Sequence, residues 1–176
     1  ISERKFVETK LYLQSAALEA AANTIVITDR NGVIQWANSS FSELTGYDPS
    51  EVVGSEPGKF VKSGLQSQEF YKNLWDTILA GETWHNELIN RRKDGSLYYE
   101  EMTITPLRNF DDKISHFIAV KQDITERKRA EEALIRSEKE YRALFENMPI
   151  GLYRTSADGQ ILDANMALVN MFGYPD

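Results

Sequence analysis

Residues 28–47, TDRNGVIQWANSSFSELTGY, are echoed at residues 155–174 as TSADGQILDANMALVNMFGY. Thr28/Thr155, Gly32/Gly159, Ile34/Ile161, Ala37/Ala164, Asn38/Asn165, Gly46/Gly173 and Tyr47/Tyr174 all share one offset of 127 residues. Repetition at a fixed spacing points to tandem modules before any single element is assigned. Ser2-Glu3-Arg4-Lys5 also recurs as Thr125-Glu126-Arg127-Lys128. The chain is therefore expected to open on the tail of one module, hold one whole copy, and stop inside another. The expected bounds are a linker helix over 1–22, a complete module over 23–125, a coiled-coil linker helix over 126–146, and the first part of a second module over 147–176.

Outward from the repeat, Thr24–Asp29 and Val33–Ala37 read as strands about an Asn31-Gly32 turn. Asn38 is placed to cap a short helix carrying Phe41 and Leu44, and Pro49–Val53 suits another helical turn. Residues 55–66 read as loop. Ser67 caps an amphipathic helix with Phe70, Tyr71, Leu74, Trp75, Ile78 and Leu79 toward the core, and Gly81 stops it. Trp84–Arg92, Ser96–Leu107 and Ile114–Gln122 are expected strands, the last apolar on both faces and so central and covered twice. Asp123 and Glu126 resemble a capping box that launches a charged helix to about residue 146. The expected architecture is α+β: a five-stranded antiparallel sheet, small helices on one face and the opening helix over the other.

Composition narrows the function classes. The chain has 176 residues, no cysteine and a formal charge of −7. Thiolate chemistry, disulfides and cysteine metal sites are excluded. The negative charge argues against nucleic acid and anionic membranes, which need a basic face. The longest weakly charged stretches are too short to span a bilayer. Nothing combines a nucleophile with a base and an orienting group, and Glu100-Glu101 point to opposite faces, so the fragment is not expected to be an enzyme.

Asp29-Arg30-Asn31-Gly32, Ala37-Asn38, Leu44-Thr45-Gly46-Tyr47, Arg91-Arg92-Lys93-Asp94-Gly95-Ser96 and Asp123-Ile124-Thr125-Glu126-Arg127-Lys128 resemble, in their order and spacing, a PAS sensory domain. The resemblance covers residues 12–128, and the segment ending at Lys128 matches the family's C-terminal signature. It implies a cytoplasmic bacterial signalling module within a multi-PAS sensor. Its expected partners are further PAS domains and an output domain such as a histidine kinase or a diguanylate cyclase.

Strand alternation places Trp84, Leu88 and Asn90 on one face and Tyr98, Glu100, Met102 and Ile104 on another. If their apolar members point inward, Asn90 and Glu100 enter the core, where each needs a hydrogen-bond partner. A ring carrying donors and acceptors would satisfy them. The competing reading is that Asn90 caps the hairpin and Glu100 meets a lysine or water. Gly81-Glu82-Thr83-Trp84 and Leu88–Gly95 are similar to the FAD-binding PAS domains of bacterial redox sensors. That resemblance implies contacts from Trp84 and Asn90 to the isoalloxazine, with Val26 and Thr28 lining the pocket. Light-oxygen-voltage photoreceptors are similar too, but their reactive cysteine is missing, Glu100 stands for an asparagine and Lys121 for a glutamine. FAD is the favoured cofactor, a ligand-free module the alternative. Haem is disfavoured because residues 67–80 contain no histidine, and His85 and His116 lie away from the expected pocket. Arg91 and Arg92 read as a solvated hairpin tip.

The exit helix carries Ala130, Leu134, Tyr141, Leu144 and Met148 at a/d spacing, interrupted by Ser137. That stripe suits a parallel homodimer through the flanking helices. Asp123 and Thr125 are the expected relay residues. Residues 149–176 supply only two strands and a short helix, marginal alone in water, and are expected to be poorly ordered or completed by another chain.

Overall fold

The computed structural model describes residues 2–173. Ile1 and residues 174–176, including Tyr174 of the repeated pattern, lie outside the described residues. The chain divides into two compact units, residues 1–126 and 127–176.

In the first unit, α1 (Ser2–Glu19) leads into β1 (Thr24–Asp29) and β2 (Ile34–Ala37). Three short helices follow: α2 (Ser40–Thr45), α3 (Pro49–Val52) and α4 (Gly58–Val61). Then come α5 (Gln68–Leu79), β3 (Trp84–Arg91), β4 (Leu97–Arg108) and β5 (Ile114–Asp123). The strands form one antiparallel sheet in the order β2-β1-β5-β4-β3, so the last strand is central, as its apolar run predicts. This is the expected α+β architecture.

The core lies between the inner face of the sheet and α2–α5. Val26, Ile34, Phe41, Val52, Leu74, Ile78, Trp84, Leu88, Met102, Ile104, Phe117 and Ala119 are all buried there. At Gly32 the β1–β2 turn needs a left-handed backbone, φ 82°. A Cβ at that position would lie 2.7 Å from Cη2 of Trp75, so glycine also lets the indole of α5 fold against the turn.

Several local expectations are corrected. Residues 55–66 contain α4 and a bridge from Lys62 to Asn90 of β3, so this segment closes one wall of the core. Its glycine and proline hid a single helical turn. Ser39, not Asn38, holds the N-cap position of α2, and it makes no side-chain cap bond. Asp123 accepts from the Thr125 backbone N–H at 2.8 Å, a short loop closure in place of a capping box with Glu126. The side chains of α1 described from residue 3 to residue 19 are exposed, so the opening helix does not cover the sheet. The central strand is accordingly buried on one face and open on the other, where Val120 is exposed. The Ser67 cap is present: its hydroxyl accepts from the Phe70 N–H at 3.1 Å.

The second unit contains most of α6 (Thr125–Asn147), then β6 (Tyr153–Thr155), β7 (Ile161–Ala164) and α7 (Met166–Phe172). β6 and β7 pair as an antiparallel hairpin. Ile161 and Met171 are exposed here, whereas their counterparts Ile34 and Leu44, at the same offset of 127, are buried in the first unit. The same pattern therefore folds the same local elements, but among the described residues the sheet here has two strands, β6 and β7. Among the described residues, no helix is long and apolar enough to cross a membrane.

Candidate functional site

A cavity of about 240 Å³ lies between the sheet and the helices of the first unit. β1 contributes Val26 and Thr28, β3 Leu88 and Asn90, β4 Met102 and Ile104, and β5 Phe117, Ala119 and Lys121. Opposite them stand Leu74, Trp75 and Ile78 of α5, with Val61, Lys62 and Tyr71 beside them. The walls are mostly hydrocarbon; Thr28, Glu56, Lys62 and Tyr71 add polar groups, and Asn90 and Lys121 meet at one corner.

That corner is a buried polar cluster. Glu100 is fully buried, and its Oε1 accepts from Lys121 Nζ at 3.1 Å and from Asn90 Nδ2 at 3.3 Å. Its other oxygen, Oε2, accepts from the Tyr98 hydroxyl at 3.0 Å. Strand register explains the convergence. Glu100 pairs with Leu88 and Asp123, so Asn90 and Lys121 are its diagonal neighbours on the inner face. A buried carboxylate is tolerated only when paired and hydrogen-bonded, and these three donors supply both.

The sequence-predicted residues are distributed unevenly around the cavity. Val26, Thr28 and Asn90 line it. Glu100 sits behind the lining, held by Lys121, which faces the hollow in its place. Trp84 is buried beside the cavity; its indole N–H donates to Asn73 Oδ1 at 3.1 Å and its ring meets Phe70 edge-on at 5.5 Å. His85 is exposed on β3, 2.9 Å from the Thr103 hydroxyl. Among the described residues, no cluster of three or more histidine and acidic side chains could hold a metal ion.

Arg92 corrects the hairpin-tip reading. Its guanidinium donates to the Leu44 carbonyl at the end of α2 and to Asp123 Oδ2 at 2.7 Å, and it lies 4.3 Å from the centre of the Tyr98 ring. Asp123 holds the Thr125 N–H, and the Thr125 hydroxyl accepts from the Tyr99 N–H at 2.9 Å. A continuous set of contacts thus runs from Lys121 and Asn90 through Glu100, Tyr98, Arg92 and Asp123 to the first residue of α6. Periodicity gave no sign of Arg92, because its partners are distant backbone and a side chain on another strand. The available hint was the Arg-Arg pair beside a strand whose inner face ends at Tyr98.

Burial raises the Tyr98 phenol far above its ordinary value, and the negative charge of Glu100 reinforces the shift. The folded state therefore favours the protonated phenol, and that contribution is lost as pH rises beyond about 10, where the unfolded tyrosine ionises. Urea midpoints are expected to fall above that pH. The Tyr98→Phe variant should show a shallower alkaline decline together with a lower midpoint at neutral pH, because Glu100 loses a donor.

Comparison with known proteins agrees with the geometry. The PAS fold family matches residues 13–124, and a second PAS domain family matches residues 139–176. The chain belongs to the PAS family, and it is a sensory signal-transduction module of that family. It is 29% identical to a nitrogen fixation regulatory protein of Klebsiella oxytoca over 85% of this chain and 30% of that protein. Identity to a bacterioopsin transcriptional activator of Halobacterium salinarum is 32%, over 73% of this chain and 19% of that protein. The chain therefore spans less than a third of these curated relatives. Among solved structures, an RNA-binding light-oxygen-voltage receptor superposes with a TM-score of 0.64 at 25% identity, over 73% of this chain and 37% of that one. A light-oxygen-voltage domain studied with a flavin analogue gives 0.58 at 28% identity, over 71% and 93%.

Proposed function

We propose that residues 23–125 form a PAS sensor that binds a flavin, favoured as FAD, and relays its redox state into α6. The observation that carries this reading is an apolar cavity with a polar corner wired to a helix start. At about 240 Å³ it falls just below the usual span of ligand pockets, roughly 300 to 1,000 Å³, and so suits a ring system better than a whole dinucleotide. The donor set fits such a ring. The Lys121 ammonium has three N–H donors, of which the bond to Glu100 uses one, and the Asn90 amide offers both a donor and an acceptor. The similarity to a light-oxygen-voltage domain studied with a flavin analogue supports the same choice.

A flavin would supply a ring whose hydrogen-bonding pattern and charge change on reduction. The protein's own part is to hold and report. Asn90 and Lys121 orient the ring edge, Val26 and Thr28 close the β1 side, and Trp84 keeps Phe70 and Asn73 in place behind the wall. A changed demand on Lys121 or Asn90 alters what Glu100 must accept, and Tyr98 and Arg92 carry that change to Asp123 and Thr125. In this reading the fragment switches between populations and does not turn over a substrate.

Around this core, residues 1–22 and 126–146 are linker helices that pair in a parallel homodimer, and residues 147–176 begin a second PAS domain. The parent is a cytoplasmic bacterial multi-PAS protein with an output domain such as a histidine kinase or diguanylate cyclase. The chain itself contacts neither nucleic acid nor the bilayer.

A second reading, a ligand-free dimerisation and relay module, has one observation in its favour. Among the described residues, every buried side-chain nitrogen and oxygen already has a hydrogen-bond partner. Titration separates the two. Quenching of flavin fluorescence by the chain should saturate with FAD, and Asn90→Ala should weaken that affinity by about tenfold, the value of losing one bond to a buried site. No saturable binding of FAD, FMN or riboflavin to folded protein would leave the ligand-free reading.

A further inference from the structure

Two carboxamides 127 residues apart make the same bonds. In the first unit, Asn38 Nδ2 donates to the Leu18 carbonyl at 3.2 Å and the Asn23 carbonyl at 3.0 Å, while its Oδ1 accepts from the Ile25 N–H at 2.9 Å. Glu19 Oε1 accepts from the neighbouring Ser39 N–H at 2.8 Å. In the second unit, Asn165 Nδ2 donates to the carbonyls of Phe145 and Ile150, each at 2.9 Å, and its Oδ1 accepts from the Leu152 N–H at 2.8 Å. Glu146 Oε2 there accepts from the Met166 N–H at 3.2 Å. Each atom pair in one unit maps onto its counterpart in the other at the offset of the sequence repeat. Both asparagines are fully buried.

The chemistry explains why one residue type is needed. The last carbonyls of a helix lack partners inside the helix. Asn38 reaches one of them, at Leu18, from across the fold. At the same time it fixes the segment before β1 and the Ile25 N–H within β1. Only a primary carboxamide on a short stem offers two donors and an acceptor at that place; aspartate keeps the acceptor and loses both donors. Ser40 adds a bond from its hydroxyl to the Ala21 carbonyl at 2.7 Å. Helix end, connecting segment and strand are therefore fastened through one side chain. β1 then continues to Val26 and Thr28 in the cavity wall and pairs with the central strand β5.

We infer that Asn38 is the input joint of the module. It fixes the direction of α1 on the sheet, so that a displacement of that helix moves β1 with it; Asn165 is the equivalent joint for the end of α6 in the second unit. This joint stands on its own geometry and does not depend on what the cavity holds. It lies at the same end of the sheet as the proposed output through Asp123 and Thr125, since Asn23, Thr24 and Ser40 line one hollow with Gln122 and Asp123.

The chain has no cysteine among its 176 residues, so paired spin labels can be introduced at exposed Glu8 on α1 and Glu69 on α5, diluted with unlabelled chain. The parent should give a narrow distance distribution. Asn38→Asp should broaden it by about twofold or more, since the helix would then sample several directions, while helical circular dichroism is unchanged. It should also raise amide exchange across Ile25–Thr28. A cap of merely local importance would fray the last turn of α1 and leave the Glu8 label narrowly placed. A narrow distribution with unchanged Ile25–Thr28 exchange in folded Asn38→Asp would overturn the inference. Should that variant fail to fold, Asn165→Asp with labels at Lys139 and Gln160 asks the same question inside the second unit, and an unbroadened distribution there would overturn it equally.

Discussion

Replacing Lys121 by methionine is expected to destabilise the module by about 3–5 kcal/mol, because it leaves a buried carboxylate without its cation. Lys121 and Glu100 are 4% and 0% exposed at their side chains, so water cannot take over the missing role. Methionine preserves most of the stem's packing, so the loss should report charge and not volume. The pair itself is not expected to be worth that much. Taking two charges out of water costs nearly what their attraction returns, and the double variant Lys121→Met with Glu100→Gln should recover most of the loss. The glutamine amide can still accept from Tyr98 or Asn90. Urea unfolding of the two single variants and the double variant makes a complete cycle. A Lys121→Met protein as stable as the parent would mean that Glu100 does not depend on Lys121 and that the pair does not hold the cluster together.

Filling the cavity should have the second large effect, and in the opposite sense for stability. Ala119 lies on the central strand and lines the hollow. Ala119→Leu places about three further carbons where the structure has space, and burying them should leave stability unchanged or raise it by about 1–2 kcal/mol. Flavin retention should fall by at least about a hundredfold, since steric exclusion from a preformed pocket costs well over 2.7 kcal/mol. The paired outcome is the point: a folded, stable protein that no longer takes the ring. A variant that unfolds would show instead that the hollow is tightly packed already, and retained binding would move the ligand elsewhere.

Much of the site was legible from period and spacing. The offset of 127 residues marked the strand, turn, strand and short helix that recur in both units, Ser67 and Gly81 bounded α5, and strand parity brought Asn90 and Glu100 inward. Parity also carried more than was taken from it. Lys121 follows Phe117 and Ala119 at alternate positions of β5, which turns a lysine into the core and names the partner that Glu100 needed. Other features left no periodic trace. Asn38 reads as a helix cap in sequence because caps and long-range clasps use the same residue type, and only the fold shows which carbonyls lie within reach. Arg92 was hidden for a related reason: its bonds run to the end of α2 and to Asp123, from 31 to 48 residues away. The outer face of the sheet was misjudged because the apolar run of β5 promised a cover on both sides, whereas α1 spends its apolar residues exposed. Trp84 was placed in the pocket by resemblance. Here its indole is engaged with Asn73 and Phe70, one layer behind the cavity wall.

The account rests on a claim of connection: that the state of the cavity is felt where α6 begins. Hydrogen exchange on flavin-loaded chain, compared between the oxidised form and the form reduced with dithionite, tests it directly. The expected result is a change in protection at Tyr98–Glu100 and again at Asp123–Glu126, abolished at the second site but not the first by Arg92→Ala. Protection that changes only along the cavity wall, or changes at Asp123–Glu126 undiminished by Arg92→Ala, would contradict it.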